Sequence, residues 1–159
     1  MSIFQGERPP DDGERSGGRQ KGGRLMRRVS LAVIAVFVAW SLMDFVMHGV
    51  ILASSYAATQ ALWRPMNEMK LTVMYIAVLI AALCFVLVYV LFFSRRGVAT
   101  GLRYGLLFGV GAGVSMGYGS YSVMPIPYHM AFTWFLGTVI EAAVGGAILG
   151  AIVPEKGAA

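Results

Sequence analysis

From Leu71 to Phe93 the chain reads LTVMYIAVLIAALCFVLVYVLFF, with no charged side chain and no polar face. A helix in a soluble core keeps one wet face; this segment has none. A helix needs about 20 apolar residues to cross the hydrocarbon core of a bilayer. Once there, it must bond every backbone N–H and C=O within itself. Three further segments, 31–53, 104–124 and 130–153, have comparable length and apolarity. With 57% hydrophobic and 13% charged residues, the composition lies far from that of soluble domains. The expected fold is all-α, an integral membrane four-helix transmembrane bundle over residues 29–153. It would be flanked by a disordered basic tail at 1–28 and a short tail at 154–159. Residues 1–24 carry almost no large apolar side chains, too few to offset their ordering entropy.

The net charge of +5 does not point to nucleic acid, because its distribution is one-sided. Seven of the 13 basic residues precede the first apolar segment, Arg95, Arg96 and Arg103 flank the connection after the second, and Lys156 follows the fourth. Only Arg64 and Lys70 stand on the opposite side. By the positive-inside rule both termini and the 95–103 connection are cytoplasmic. The expected location is a bacterial inner membrane, with anionic lipid headgroups as the partner of the basic tail. Trp63, Arg64 and Glu68, in the 54–70 connection, then mark the outer interface. An indole ring suits the headgroup level. Pro65 and Glu68 read as the first turn of the next helix, where a missing N–H is harmless and a carboxylate complements the helix dipole.

Asp44 and His48 break the first apolar segment, and Glu141 breaks the fourth. Asp44 and His48 are one turn apart, with Trp40 one turn below, so all three share a helix face. At about 1.5 Å rise per residue, Asp44 and Glu141 lie at similar depth, within roughly 3–5 Å. A central Asp costs about 2.5–3.5 kcal/mol on insertion. Interhelical hydrogen bonds return about 0.6 kcal/mol on average. Packing alone therefore explains these groups poorly, and ionisable residues within a membrane span are candidate functional residues. Asp44, His48 and Glu141 are the expected proton or cation site.

Glycines recur at spacing four through the third segment, at Gly101, Gly105, Gly109, Gly113 and Gly117, and Gly137 and Gly145 bracket Glu141 in the fourth. Such ridges of small residues let helix backbones approach closely in lipid. They predict close packing against another helix of the chain or a second copy, and a homo-oligomer joined through the ridge is expected. A single cysteine, Cys84, excludes an internal disulfide and any CxxC site. No nucleophile–base pair, phosphate loop or nucleotide fingerprint is present, so no catalytic residue and no enzyme activity are expected. His48 and His129, the only histidines, stand at unequal depths and are a poor pair of haem ligands. Asp44, His48 and Glu141 lack a diagnostic metal spacing, and neither a metal nor another cofactor is expected.

HGVILASSYAATQALWRPMNEMK, residues 48–70, and the four-segment layout resemble small four-span bacterial inner-membrane proteins of uncharacterised activity. The resemblance implies location and carries no site residues with it. The functional expectation is an intramembrane site, linked to protons or cations, that contributes to transport. The alternative is a non-catalytic accessory or scaffold subunit of a larger membrane complex.

Overall fold

The computed structural model describes the backbone of residues 12–153 and residue 155, and side chains from residue 22 onward. Among the described residues every regular element is helical. Helix α1 (Asp12–Asp44) passes without a break into a π-helical segment, Phe45–Ile51. A short α2 (Ala53–Ala58) and two 3₁₀ turns, Gln60–Leu62 and Met66–Glu68, lead to α3 (Leu71–Phe92). Helix α4 (Val98–Gly113) continues through a second π-helical segment, Val114–Gly119, into α5 (Ser120–Val123). Helix α6 (Tyr128–Ile152) follows. Three helices, Gly22–Ile51, Leu71–Phe92 and Tyr128–Ile152, are long and apolar enough to cross a membrane.

α6 is the central element. The α4 run lies antiparallel along it, α1 packs on another of its sides, and α3 packs on α1. All five ridge glycines are buried because the backbone of α6 occupies the space where their side chains would be. A Cβ on Gly101 would strike the Gly146 carbonyl, and one on Gly105 the Ala142 carbonyl. One on Gly109 would stand 2.8 Å from Val139 Cα, one on Gly113 2.8 Å from the Phe135 carbonyl oxygen, and one on Gly117 against the Ala131 carbonyl. Gly146 and Gly150 return the same closeness from α6, toward Gly101 and Gly97. The ridge is thus filled from within the chain, by α6. The other two glycines serve α1. A Cβ on Gly145 would lie 2.7 Å from the Trp40 indole nitrogen, and Gly137 receives the Met47 thioether.

Two expectations are corrected. Helix α1 begins at Asp12, within the segment expected to be a disordered tail. Once the apolar section has nucleated a helix, each added residue costs little and gains a backbone bond. Residues 1–11 of that tail, and all of 154–159 but Glu155, lie outside the described residues. Glu68 does not sit in the first turn of α3 but ends a separate 3₁₀ turn. Pro65 and Met69 on either side are extended, with ψ of 147° and 132°, so the chain leaves the helical region before Leu71.

The apolar interior falls into two clusters. One gathers Ala32, Val36, Trp40, Phe85, Val86, Tyr89, Tyr104, Ala142 and Leu149 near the Gly97 end. There Phe85 stacks on Tyr104 at 4.6 Å, and the Tyr104 hydroxyl donates to the Phe85 carbonyl at 2.9 Å. The 93–97 turn is closed by Tyr89, whose hydroxyl donates to Gly97 O (3.1 Å) and accepts from Gly97 N–H (2.9 Å). Gly97 has φ of 134°, a conformation that side chains beyond glycine rarely adopt. Arg96 donates to the carbonyls of Val90 and Phe93 at the end of α3, where a cation also suits the helix dipole. The second cluster, at the Ile126 end, holds Met47, Leu52, Ile126, Met130, Ala131 and Trp134.

Candidate functional site

Between these clusters the packing is interrupted. A cleft of about 500 Å³ is lined by Asp44, Met47 and His48 from the α1 run, Ser115, Met116 and Ser120 from the α4–α5 run, and Trp134, Thr138 and Glu141 from α6. No lining residue comes from α3. The three ionisable residues singled out from the sequence therefore meet in one cleft.

Their geometry follows from the elements that hold them. Asp44 is the last residue of α1 proper, and His48 lies in the π-helical segment that follows, with its Nε2 3.8 Å from Asp44 Oδ1. The Glu141 carboxyl faces the same cleft as Asp44 from the other side of the α1–α6 contact. Trp40, one turn below Asp44, donates its indole N–H to the backbone carbonyl of Glu141 at 2.7 Å. Gly145 makes room for that indole, so the small residue beside Glu141 fixes the relative register of α1 and α6. Both carboxyl-bearing positions are thereby held from the Gly97 side by a buried aromatic anchor.

π-Helical turns are rare and appear mostly as local bulges, often at functional sites. Here two of them face the same cleft. Phe45–Ile51 supplies Met47 and His48, and Val114–Gly119 supplies Ser115 and Met116. Each widens the helix by one residue per turn, which redirects the side chains that follow. No pattern in the sequence marked either segment.

Sequence reasoning also missed the group above His48. The Tyr56 hydroxyl, from α2, lies 2.6 Å from His48 Nδ1 and accepts the Trp134 indole N–H at 3.1 Å. Trp63 packs edge-on against Tyr56 at 5.1 Å and against Trp134 at 6.1 Å. Its own indole donates to Thr59 Oγ1 at 2.8 Å. By sequence Tyr56 reads as an outer-interface ring like Trp63; only the turn of α2 over the end of α1 brings it to the imidazole. His129 is kept apart from the cleft by its 2.8 Å hydrogen bond to Ser55 Oγ. Arg64 and Glu68 are exposed and take no part in the cleft. Arg64 instead borders a separate pocket of about 290 Å³ with Tyr56, Trp63 and Met66.

Burial pushes the Tyr56 phenol above its ordinary value, opposed in part by the Trp134 hydrogen bond. At neutral pH it is therefore a neutral donor and acceptor. Among the described residues no group of three or more His, Cys, Asp or Glu side chains is arranged to hold a metal ion.

Among the described residues, fold and site together define an all-helical protein with three membrane-length apolar helices and a polar cleft at the junction of two of them. No protein-family model, curated protein or solved structure matches the chain.

Proposed function

We propose that the chain is a multi-pass membrane protein in which Asp44, His48 and Glu141 form a site that exchanges protons for a cation in the course of transport. In this reading the α4–α5 run is the fourth membrane-crossing element. Its support is the antiparallel course along α6 from Gly97 to Gly117, which sets it at the same depth as a helix of spanning length. In this reading the membrane is a bacterial inner membrane with both termini cytoplasmic; the basic residues Arg24, Arg27, Arg28, Arg95, Arg96 and Arg103 support that orientation by the positive-inside rule.

The observation that carries the proposal is the meeting of two carboxyl groups and an imidazole, from two apolar helices, in one cleft of about 500 Å³. Ionised groups cost several kcal/mol in such surroundings unless they are paired or do chemistry. Two carboxyl groups in one cleft share a proton more readily than they hold two negative charges. An entering cation takes that proton's place, which couples the two movements. Ser115, Thr138 and Ser120 supply neutral oxygen atoms around the same space.

The test uses purified protein in liposomes that enclose a pH-sensitive dye. Imposed gradients of Na⁺, K⁺ or tetraethylammonium should change the internal pH with wild-type protein. Asp44→Asn/Glu141→Gln, which keeps shape and removes the titration, should abolish the change. Equal signals from the two proteins would end the proposal. A scaffold subunit would behave differently in cells: these near-isosteric changes would preserve its function, and Gly109→Leu would destroy it by forcing the α4–α6 contact apart.

A further inference from the structure

We infer that Tyr56 is the passage by which protons reach this site from the Ile126 end, and that its hydroxyl holds His48 in the tautomer protonated on Nε2. The inference rests on the proton-linked reading of the cleft and adds to it a residue, a direction and a tautomer.

The tautomer follows from hydrogen-bond accounting. A neutral imidazole has one N–H donor and one acceptor nitrogen, and an indole can only donate. Trp134 Nε1 therefore donates to the Tyr56 oxygen (3.1 Å), which leaves the phenolic proton in need of an acceptor. His48 Nδ1, at 2.6 Å, is the acceptor that the described structure provides. With Nδ1 accepting, the imidazole proton is on Nε2, and that nitrogen is the one turned toward Asp44 Oδ1 at 3.8 Å. The opposite tautomer would make Tyr56 accept twice, with its own proton turned to water, and would set the Nε2 lone pair instead of an N–H toward the Asp44 carboxyl oxygen.

The groups facing His48 are few. Asp44 comes from its own helix, Glu141 from α6 across the cleft, and Tyr56 from α2. The α4–α5 run contributes the uncharged Ser115, Met116 and Ser120. These contacts line up an ordered route for proton delivery. The Tyr56 oxygen, partly exposed, takes a proton from water as its own O–H proton passes to His48 Nδ1. The imidazolium formed releases its Nε2 proton to an Asp44 oxygen. The 3.8 Å gap is wider than a hydrogen bond, and one bridging water or a small rotation of the ring closes it. One proton has then moved from water to the carboxylate. Tyr56 and His48 are both neutral again, with His48 now carrying its proton on Nδ1. Exchange with water, which takes the proton from Nδ1 and returns one to Nε2, and rotation of the phenolic O–H back toward Nδ1 reset the chain. Trp63, edge-on to the Tyr56 ring, and Trp134, which donates to its hydroxyl, hold the phenol in place over His48.

The chain has two histidines, so ¹⁵N NMR of histidine-labelled protein in nanodiscs reads the tautomer directly, with His129→Gln assigning the signals. At alkaline pH wild-type His48 should be protonated on Nε2. A dominant Nδ1-protonated form would overturn the inference with no variant needed. In Tyr56→Phe, which keeps the ring packing and removes the hydroxyl, His48 should populate both tautomers. The carboxyl infrared band should follow a rapid pH jump at least about tenfold more slowly, as loss of a positioned proton-transfer group implies. An unchanged rate would show that protons reach the cleft by another way and would overturn the route. Trp134→Phe keeps Tyr56 and frees its oxygen to accept from His48, so it should weaken the tautomer preference while leaving the rate nearer wild type. A rate loss as large as that of Tyr56→Phe would assign the effect to cap packing and overturn the role of the hydroxyl. These readouts need no transported cation. They can therefore fail while Asp44→Asn/Glu141→Gln behaves as proposed, or hold while it does not.

Discussion

Gly105→Ala adds one methyl group at one of the closest points of the α4–α6 contact. Its Cβ would overlap the Ala142 carbonyl oxygen and lie 2.8 Å from Ala142 C and 3.0 Å from Ala143 Cα. Carbon atoms pack best at about 3.5–4.0 Å, so the two backbones must separate by roughly 0.5–1 Å. Nothing at this point can rotate away, because every opposing atom belongs to the main chain of a helix. Overpacking of this kind costs about 1–3 kcal/mol. A gap of that size also removes about a quarter to a half of the dispersion attraction of neighbouring contacts, which here means the adjoining steps of the ridge at Gly101 and Gly109. The same substitution raises intrinsic helix propensity by up to about 1 kcal/mol, and the comparison variant isolates that gain. Gly111 lies on the same helix with nothing within 4 Å of an added Cβ, so Gly111→Ala should be neutral or slightly stabilising. Reversible unfolding in mixed micelles, followed by circular dichroism, measures both. Equal stability of Gly105→Ala and Gly111→Ala would refute the intramolecular ridge.

Tyr89→Phe removes both hydrogen bonds to the Gly97 backbone and should cost about 1–3 kcal/mol by the same unfolding assay. Leu83→Ile, on an exposed stretch of α3 (41% exposed), should change stability by less than about 0.5 kcal/mol. Trp40→Phe loses the bond to the Glu141 carbonyl, about 0.5–1.5 kcal/mol, and frees the register of α1 on α6, which a cysteine cross-link between positions 47 and 137 would report as a lower yield. Reporter fusions after Met66 and near Ile126 should read extracytoplasmic, and fusions after Gly97 cytoplasmic; a cytoplasmic signal at Met66 would overturn the proposed topology.

The sequence by itself determined what could be counted along one dimension. A run such as Leu71–Phe93 is apolar on all sides in any arrangement, so its helical state and its demand for an apolar surrounding follow from backbone bonding alone. The glycines at spacing four had to share a helix face, because helical periodicity is local. Asp44 and His48 had to be neighbours for the same reason. What the glycine ridge packs against was open, since a backbone of this chain and one of a second copy present the same atoms. The tertiary structure settled it by placing Ala142 and Gly146 of α6 against Gly105 and Gly101. Depth matching suggested that Asp44 and Glu141 lie level. Whether they meet depended on the rotation of α1 about its axis, which the Trp40 indole against Gly145 sets. The two π-helical segments and the reach of Tyr56 to His48 were illegible in advance. A π turn differs from an α turn by one residue of backbone pairing, a small energy that neighbouring helices decide. Tyr56 meets His48 through the fold of α2 over the end of α1, a contact that depends on three successive turns of chain whose side chains carry no periodic signal.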